Sequence, residues 1–386
     1  MRVILNQSTA LGPKTGIGHY TSELLQSLRV IAPTDTFDVF PPDWWRSLRR
    51  IGGALRPRRG SSVANADRAT RTWRDAIMNQ MRAFGERALG GYLRLANRWH
   101  RYDIYHEPNY IPLPSSIPTV ATVHDLSVLL HPEWHPLDRV RYYEREFQAG
   151  LQRCRHLFAV SEFTRQEMVR ELNIPAERIT CTHLGIRADL RPMSADETAA
   201  VLRRLGLPEQ YLLFVGTIEP RKNPMMLMRA YCDLPAAVRE RCPLVLAGGW
   251  GWNAAEFAAY YEAEAKHRGV MHLGYVADAD LAAIYCAARA LVFPSFYEGF
   301  GLPPLEMMAC GGAVLASTAG SVVEVVGPRA HLLDPNDLIG WRDAMLRIIV
   351  DDDWQRSLRV GVTEWARTYS WERCARQTLQ VYRDME

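Results

Sequence analysis

The sequence predicts an α/β fold in two domains, each built on a parallel sheet. Three observations predict it: the length, the alternation of short apolar runs with helical patterns, and a pause in that alternation near the middle. A chain of 386 residues is too long for one ordinary core. Short apolar runs separated by helical periodicity are the mark of parallel sheets with crossover helices. In the first half the runs predict strands at Arg2–Asn6, Thr36–Phe40, Asp103–His106, Thr119–His124, Leu157–Val160 and Ile179–His183. In the second half they fall at Tyr211–Gly216, Leu244–Ala247, Met271–Leu273, Leu291–Phe293, Ala313–Ala316 and His331–Leu333. Pro192 and Pro208 bracket a polar helical stretch at the pause, which places a linker near Gly185–Ser194. The expected division is 1–187, 188–370 and a last helix, 371–386, with apolar Trp371, Ala375, Leu379 and Tyr382 at helical spacing.

Composition narrows the class. Apolar residues make up 48% and charged residues 23%, which is ordinary for a soluble globular chain. No run reaches the roughly 18 apolar residues of a membrane span, and the N-terminus reads as a first strand rather than a secretory signal. Seven scattered Cys, none at CxxC spacing, disfavour zinc and dithiol chemistry and fit a reduced, cytoplasmic compartment.

The net charge of +3 hides an asymmetry. Residues 41–101 carry fourteen Arg, no Lys and four acids, so this segment is +10 and the remainder −7. Within it Trp73, Ile77, Met81, Phe84, Ala88 and Tyr92 recur at three- and four-residue steps, an amphipathic helix with a basic face. Two readings stand: a surface helix covering a sheet edge, or peripheral contact with anionic lipid at the inner face of the plasma membrane. No nucleic-acid reading motif accompanies the charge, so a nucleic-acid partner is not expected.

Four motifs carry chemistry. The strongest is Ser295-Phe296-Tyr297-Glu298-Gly299-Phe300-Gly301-Leu302-Pro303-Pro304-Leu305-Glu306, directly after a strand. Ligands of open α/β sheets bind at such carboxyl ends. Gly299 and Gly301 allow backbone N–H groups close to an anion, and the prolines suit a first helical turn. That turn, expected to include Glu306, would offer free N–H groups and a favourable dipole to phosphate. Glu298 and Glu306 can each accept two hydrogen bonds from sugar hydroxyls; as a bare pair they would equally serve as helix caps. The second motif is Gly216-Thr217-Ile218-Glu219-Pro220-Arg221-Lys222-Asn223, where a planar fork and a point charge stand side by side, as a pyrophosphate requires. The third is Val123-His124-Asp125-Leu126, with His124 closing an apolar strand, either orienting a reacting group or serving as a satisfied core histidine. The fourth, Gly12 to His19, is a strand-to-helix turn with Gly16 and Gly18 but without the GxGxxG spacing, which disfavours a nicotinamide enzyme. Asp278-Ala279-Asp280 reads as the N-cap of a helix Asp280–Ala288 rather than a metal pair, and no metal site is expected.

In this order the motifs resemble glycosyltransferase family 4, the retaining group of GT-B architecture, in which two Rossmann-like domains face each other across a cleft. The resemblance spans nearly the whole chain except 41–101. It also includes Ser161-Glu162-Phe163-Thr164 and Gly311–Gly327 with Glu324-Val325-Val326. It implies that Arg221 and Lys222 hold the donor diphosphate, and that Glu298 touches the transferred sugar near the N–H groups of Phe300 and Gly301, beside Gly299 and Leu302. It implies further that Glu306 grips the ribose, Tyr275 and Val276 lie at the base, and His124 faces the sugar. Gly16 and Gly18 would approach phosphate or acceptor, and the last helix would cross back onto the first domain. Glu219 to Asn223, His124 to Ser127 and His131-Pro132-Glu133 resemble bacterial mannosyltransferases of polysaccharide and O-antigen assembly. The expected donor is therefore GDP-mannose, used without metal or other cofactor, and the expected acceptor a growing, lipid-linked oligosaccharide. A sugar-nucleotide epimerase or hydrolase, or a non-catalytic nucleotide-sugar-binding protein, would share the diphosphate site.

Overall fold

The computed structural model describes residues 1–11, 16–42, 85 and 88–386. Among these residues twelve strands form two six-stranded parallel sheets. The first contains β1 (Arg2–Asn6), β2 (Thr36–Phe40), β3 (Ile104–Glu107), β4 (Thr119–Val123), β5 (His156–Ala159) and β6 (Ile179–Cys181). The second contains β7 (Leu212–Val215), β8 (Leu244–Ala247), β9 (Val270–Gly274), β10 (Ala290–Phe293), β11 (Val314–Ser317) and β12 (His331–Leu333). All twelve lie where the apolar runs place them, within three residues at each end, because most of these segments are buried on both faces and read as continuous hydrophobic runs.

Strand order locates the ligand crevices. The first sheet runs β2-β1-β3-β4-β5-β6, so its order reverses between β1 and β3. The second runs β12-β11-β10-β7-β8-β9 and reverses between β7 and β10. A crevice opens outside the carboxyl ends of the strands at each reversal. Arg221 and Lys222 follow β7 and Glu298 follows β10, so the topology brings the two strongest motifs to one point.

The halves are joined at two crossings that touch. Ile186 N–H donates to the Tyr369 carbonyl at 3.2 Å. A Cβ on Gly185 would lie 2.1 Å from the Trp371 backbone nitrogen, so only glycine fits there. Beyond this point the helix Trp371–Asp384 packs on the helix Gly16–Ile31 of the first half, with Trp371 and Tyr20 ring centroids 6.0 Å apart. Tyr382 OH bonds His106 Nδ1 in β3 at 2.6 Å, and Arg383 pairs with Asp35 at 2.5 Å.

Most of the basic segment, including Trp73, Ile77, Met81 and Phe84, lies outside the described residues. Its end, 88–100, is helical and seats Leu93 in a cluster with Ile4, Phe40 and Tyr105, while Tyr92, Leu95 and Trp99 stand exposed beside Arg94 and Arg98. No helix among the described residues is long and apolar enough to cross a membrane.

Three local expectations need correction. Glu306 is the fifth residue of the helix Leu302–Ala309, one position past its first turn, because the helix starts at Leu302 behind Gly301. The helix expected from Asp280 begins at Asp278 with Ala277 as its cap residue. Asp280 instead turns sideways to Arg204, 2.5 Å away. Gly16 and Gly18 belong to the helix Gly16–Ile31, not to a turn before it; residues 12–15 lie outside the described part.

Candidate active site

The two crevices face each other and merge into one cavity of about 760 Å³, lined from both halves. His124, Gly16, Arg221, Lys222, Tyr275, Val276, Glu298, Gly299, Phe300, Gly301, Leu302 and Glu306 all line it. Gly18 does not; it is buried on the inner face of its helix.

The β7 crevice holds a dense ionic knot. Pro220–Lys222 form a 3-10 turn closed by Asn223 in the left-handed conformation (φ 56°), whose side chain donates to the Pro294 and Pro335 carbonyls. That turn aims both cations at one carboxylate. Arg221 Nη1 donates to Glu298 Oε2 at 2.6 Å and to the Tyr297 carbonyl at 2.9 Å, and Lys222 Nζ donates to Glu298 Oε1. The other edge of Arg221 takes Glu219 Oε1 at 2.9 Å. Burial alone would push the Glu298 carboxyl up; Arg221 and Lys222 outweigh it and hold the group down at about 2. Burial also lowers the Lys222 ammonium and raises Glu219, whose Oε2 has no hydrogen-bond partner among the described residues. With Glu219 ionised, two cations and two carboxylates cancel.

The glycine-rich loop after Glu298 is wedged between the halves. Ser161 Oγ in the first half donates to the Gly299 carbonyl at 2.7 Å, while accepting from Thr164 N–H as the cap of the helix Glu162–Leu172. Gly301 (φ 98°) turns the chain into the helix Leu302–Ala309. A Cβ on Gly16 would lie 3.8 Å from Leu302 Cδ1, so two helix N-termini converge here, with free N–H groups and favourable dipoles for an anion. One turn further along, Glu306 accepts from Tyr285 OH at 2.8 Å, and burial raises its carboxyl.

Opposite stands His124. Its Nε2–H donates to the Pro108 carbonyl at 2.8 Å, and Tyr20 and Tyr110 pack edge-on against the ring at 5.0 and 5.5 Å. Burial lowers its pKa, so the imidazole is neutral near pH 7 with Nδ1 as its acceptor. Val276 is buried and Tyr275 is 63% exposed, so the latter is a rim residue.

Several cavity residues were not anticipated from the sequence: Asn6, Glu107, Arg139, Arg187 and Trp252; Asp125 belongs to the His124 motif. Glu107, at the carboxyl end of β3, accepts from Asn6 Nδ2 of β1 at 2.7 Å, from Tyr105 OH at 2.6 Å and from Asn109 N–H at 3.1 Å. Its place at the reversal between β1 and β3 was the available signal. Trp252, under the Arg139 guanidinium at 4.3 Å, donates Nε1–H to the Trp134 carbonyl across the cleft at 2.8 Å. Glu324 reaches across as well, accepting from the N–H groups of Glu162 and Phe163 and pairing with His183 at 2.5 Å.

Burial pushes the Glu107 carboxyl up from an ordinary 4.5 to about 7. Below pH 4.5 folded and unfolded chains both hold the proton. Between there and 7 only the unfolded chain loses it, so this group lowers stability by roughly 3 kcal/mol as pH rises. Glu107→Gln is expected to remove that part of the slope, as read by urea unfolding at pH 5 and pH 7.5; an unaltered slope refutes it.

Opposed helix N-termini and a paired Arg-Lys, set between two doubly wound halves, are the arrangement of a GT-B fold, and comparison with known proteins identifies the family. Residues 203–364 match the glycosyl transferases group 1 family, and residues 24–190 match Glycosyltransferase Family 4. The chain is 36% identical over 387 aligned positions to O-antigen chain mannosyltransferase B of Escherichia coli, covering 99% of this chain and 100% of that protein. It is 32% identical over 269 positions to the serotype-specific mannosyltransferase WbdA of the same organism, covering 68% of this chain and 33% of WbdA. Sucrose-phosphate synthase of Thermosynechococcus elongatus superposes with a TM-score of 0.74 at 20% identity, over 100% of this chain and 99% of that one. The chain belongs to the glycosyltransferases of group 1 and family 4, and it is an enzyme.

Proposed function

We propose that this enzyme transfers mannose from GDP-mannose, with retention of the anomeric configuration, to a hydroxyl of a growing, lipid-linked O-antigen saccharide. Full-length similarity to an O-antigen chain mannosyltransferase supports the sugar and the pathway. The observation that carries the chemistry is the joint placement of Arg221, Lys222 and Glu298 beside the N-terminus of the helix Leu302–Ala309.

In this reading the donor diphosphate lies against that N-terminus, Arg221 and Lys222. These groups neutralise the charge that grows as the bond between C1 and the phosphate oxygen breaks, and need no metal to do so. Glu306 holds the ribose hydroxyls, with the base toward Tyr275 and Val276. Glu298, fixed as a carboxylate, takes hydroxyls of the transferred hexose and lies close to the positive charge developing at C1. His124 closes the other face through Nδ1. The acceptor oxygen approaches C1 from the side the phosphate leaves, forms the new C–O bond, and passes its proton to a departing phosphate oxygen.

Thermal shift against GDP, UDP and ADP tests the donor. GDP at a hundredfold its dissociation constant should add about 2.7 kcal/mol of stability. Product analysis with GDP-mannose should give an α-linked saccharide. No shift with GDP, or a β-linked product, overturns the respective half of the proposal.

A further inference from the structure

The diphosphate crevice contains less net positive charge than its Arg-Lys pair suggests. Arg221 and Lys222 are both engaged by Glu298, and Arg221 also by Glu219, so an arriving diphosphate meets a cluster whose formal charges cancel. One buried cation of the same cavity is not consumed in this way. Arg187, on the segment linking the halves, is 8% exposed and lines the cavity. Its Nε and Nη2 have no hydrogen-bond partner among the described residues. Its contacts are long: 3.4 Å to Asp189, 3.5 Å to Asp278 and 3.5 Å to His19 Nδ1. The two aspartates are themselves substantially exposed, so water competes for them.

A guanidinium buried with two open donors is costly unless an acceptor arrives. Its position indicates which. His19 lies one turn into the helix that begins at Gly16, and Gly16 adjoins Leu302. The charge of Arg187 also reaches the Glu306 carboxyl, one turn into the opposing helix. Arg187 therefore stands just behind the two converging N-termini, on the side toward the ribose clamp rather than toward the sugar.

We propose that Arg187 is the ligand of the donor's α-phosphate, while Arg221 and Lys222 serve the β-phosphate that leaves with the reaction. This rests on the nucleotide-sugar reading above. The fork of Nε and Nη2 matches two phosphate oxygens, a geometry that lysine cannot reproduce. A residue of the hinge thereby holds the nucleotide independently of the sugar.

The test is calorimetric titration of the wild type, Arg187→Gln and Arg187→Lys with GDP, GMP and guanosine, repeated in the UDP series. Both variants should lose on the order of 10- to 100-fold in affinity for diphosphate and monophosphate alike, and nothing for the nucleoside. The ligand-free variants should melt no lower than wild type, since an unsatisfied buried charge has been removed or left in place. Wild-type affinity for GMP in Arg187→Gln overturns the assignment, as does an equal loss for guanosine, which would make Arg187 a reader of the base. A variant that melts far below wild type yet binds GMP normally marks a structural residue and overturns it too. Should the wild type bind none of GDP, UDP or ADP, the donor reading falls with it; binding by wild type and variants alike sinks only the role of Arg187.

Discussion

Glu298→Gln is expected to hold a nucleoside diphosphate more tightly than the wild type while turning over on the order of 10²–10³ more slowly, the loss typical of removing one electrostatic group aimed at a reacting centre. Glu298 is the sole carboxylate shared by Arg221 and Lys222 among the described residues, and it is 6% exposed. Removing its charge strands Lys222 in a buried site and leaves Arg221 with Glu219 alone. Breaking such a pair from one side costs about 3–5 kcal/mol, so the ligand-free variant should melt well below wild type. A diphosphate supplies the missing negative charge and should restore most of the loss. Melting curves with and without GDP, read beside turnover of GDP-mannose, separate the two effects. Weaker GDP binding than wild type, or undiminished turnover, would remove Glu298 from the role assigned to it.

Gly299→Ala should be nearly as damaging, for a steric reason. A Cβ on Gly299 would lie 1.7 Å from the His124 carbonyl oxygen and 2.8 Å from Asp125 Cβ. Neither the His124 backbone, at the end of β4, nor the Gly299 loop, tied to Ser161, has room to yield. The halves must then part by an ångström or more, separating His124 from Glu298. A displacement of that size costs about 10²-fold in rate when reacting groups are pre-aligned. Nucleotide affinity should fall less than kcat, because Arg221, Lys222 and Glu306 lie in one half and only the N-terminus of the Gly16 helix withdraws with the other. Small-angle scattering should show a larger radius of gyration than wild type. A variant with normal compactness and normal kcat would show that the loop does not set the separation.

The fold was legible because its strands are buried apolar runs and its helices fill the intervals; period and burial agree at nearly every element. The donor motifs were legible because each follows a strand that ends at an order reversal. What escaped the sequence depends on distance in space. Glu324 looks like an ordinary first-turn acid of the helix Val322–Val326, yet it caps a helix 162 positions away. Glu107 falls one position past the expected strand Asp103–His106, and only the pairing of β1 with β3 sets Asn6 against it. Arg187 sits in a stretch without periodicity, and its open donors become visible only when its neighbours are placed. Glu306 slipped one position past the expected turn because the helix start depends on Gly301 adopting a positive φ, which sequence allows but does not require.

The paired crossings at Gly185 and Trp371 have a mechanical consequence. Two chain segments that meet at one place form a natural fulcrum: any rotation of the halves about it would displace groups in proportion to their distance from it. Arg187 lies two residues from this axis and would stay almost still in such a rotation. On the reading proposed above, a nucleotide moored there would keep its station through an opening, and the far end of the groove would sweep widest, on the side left for a bulky acceptor.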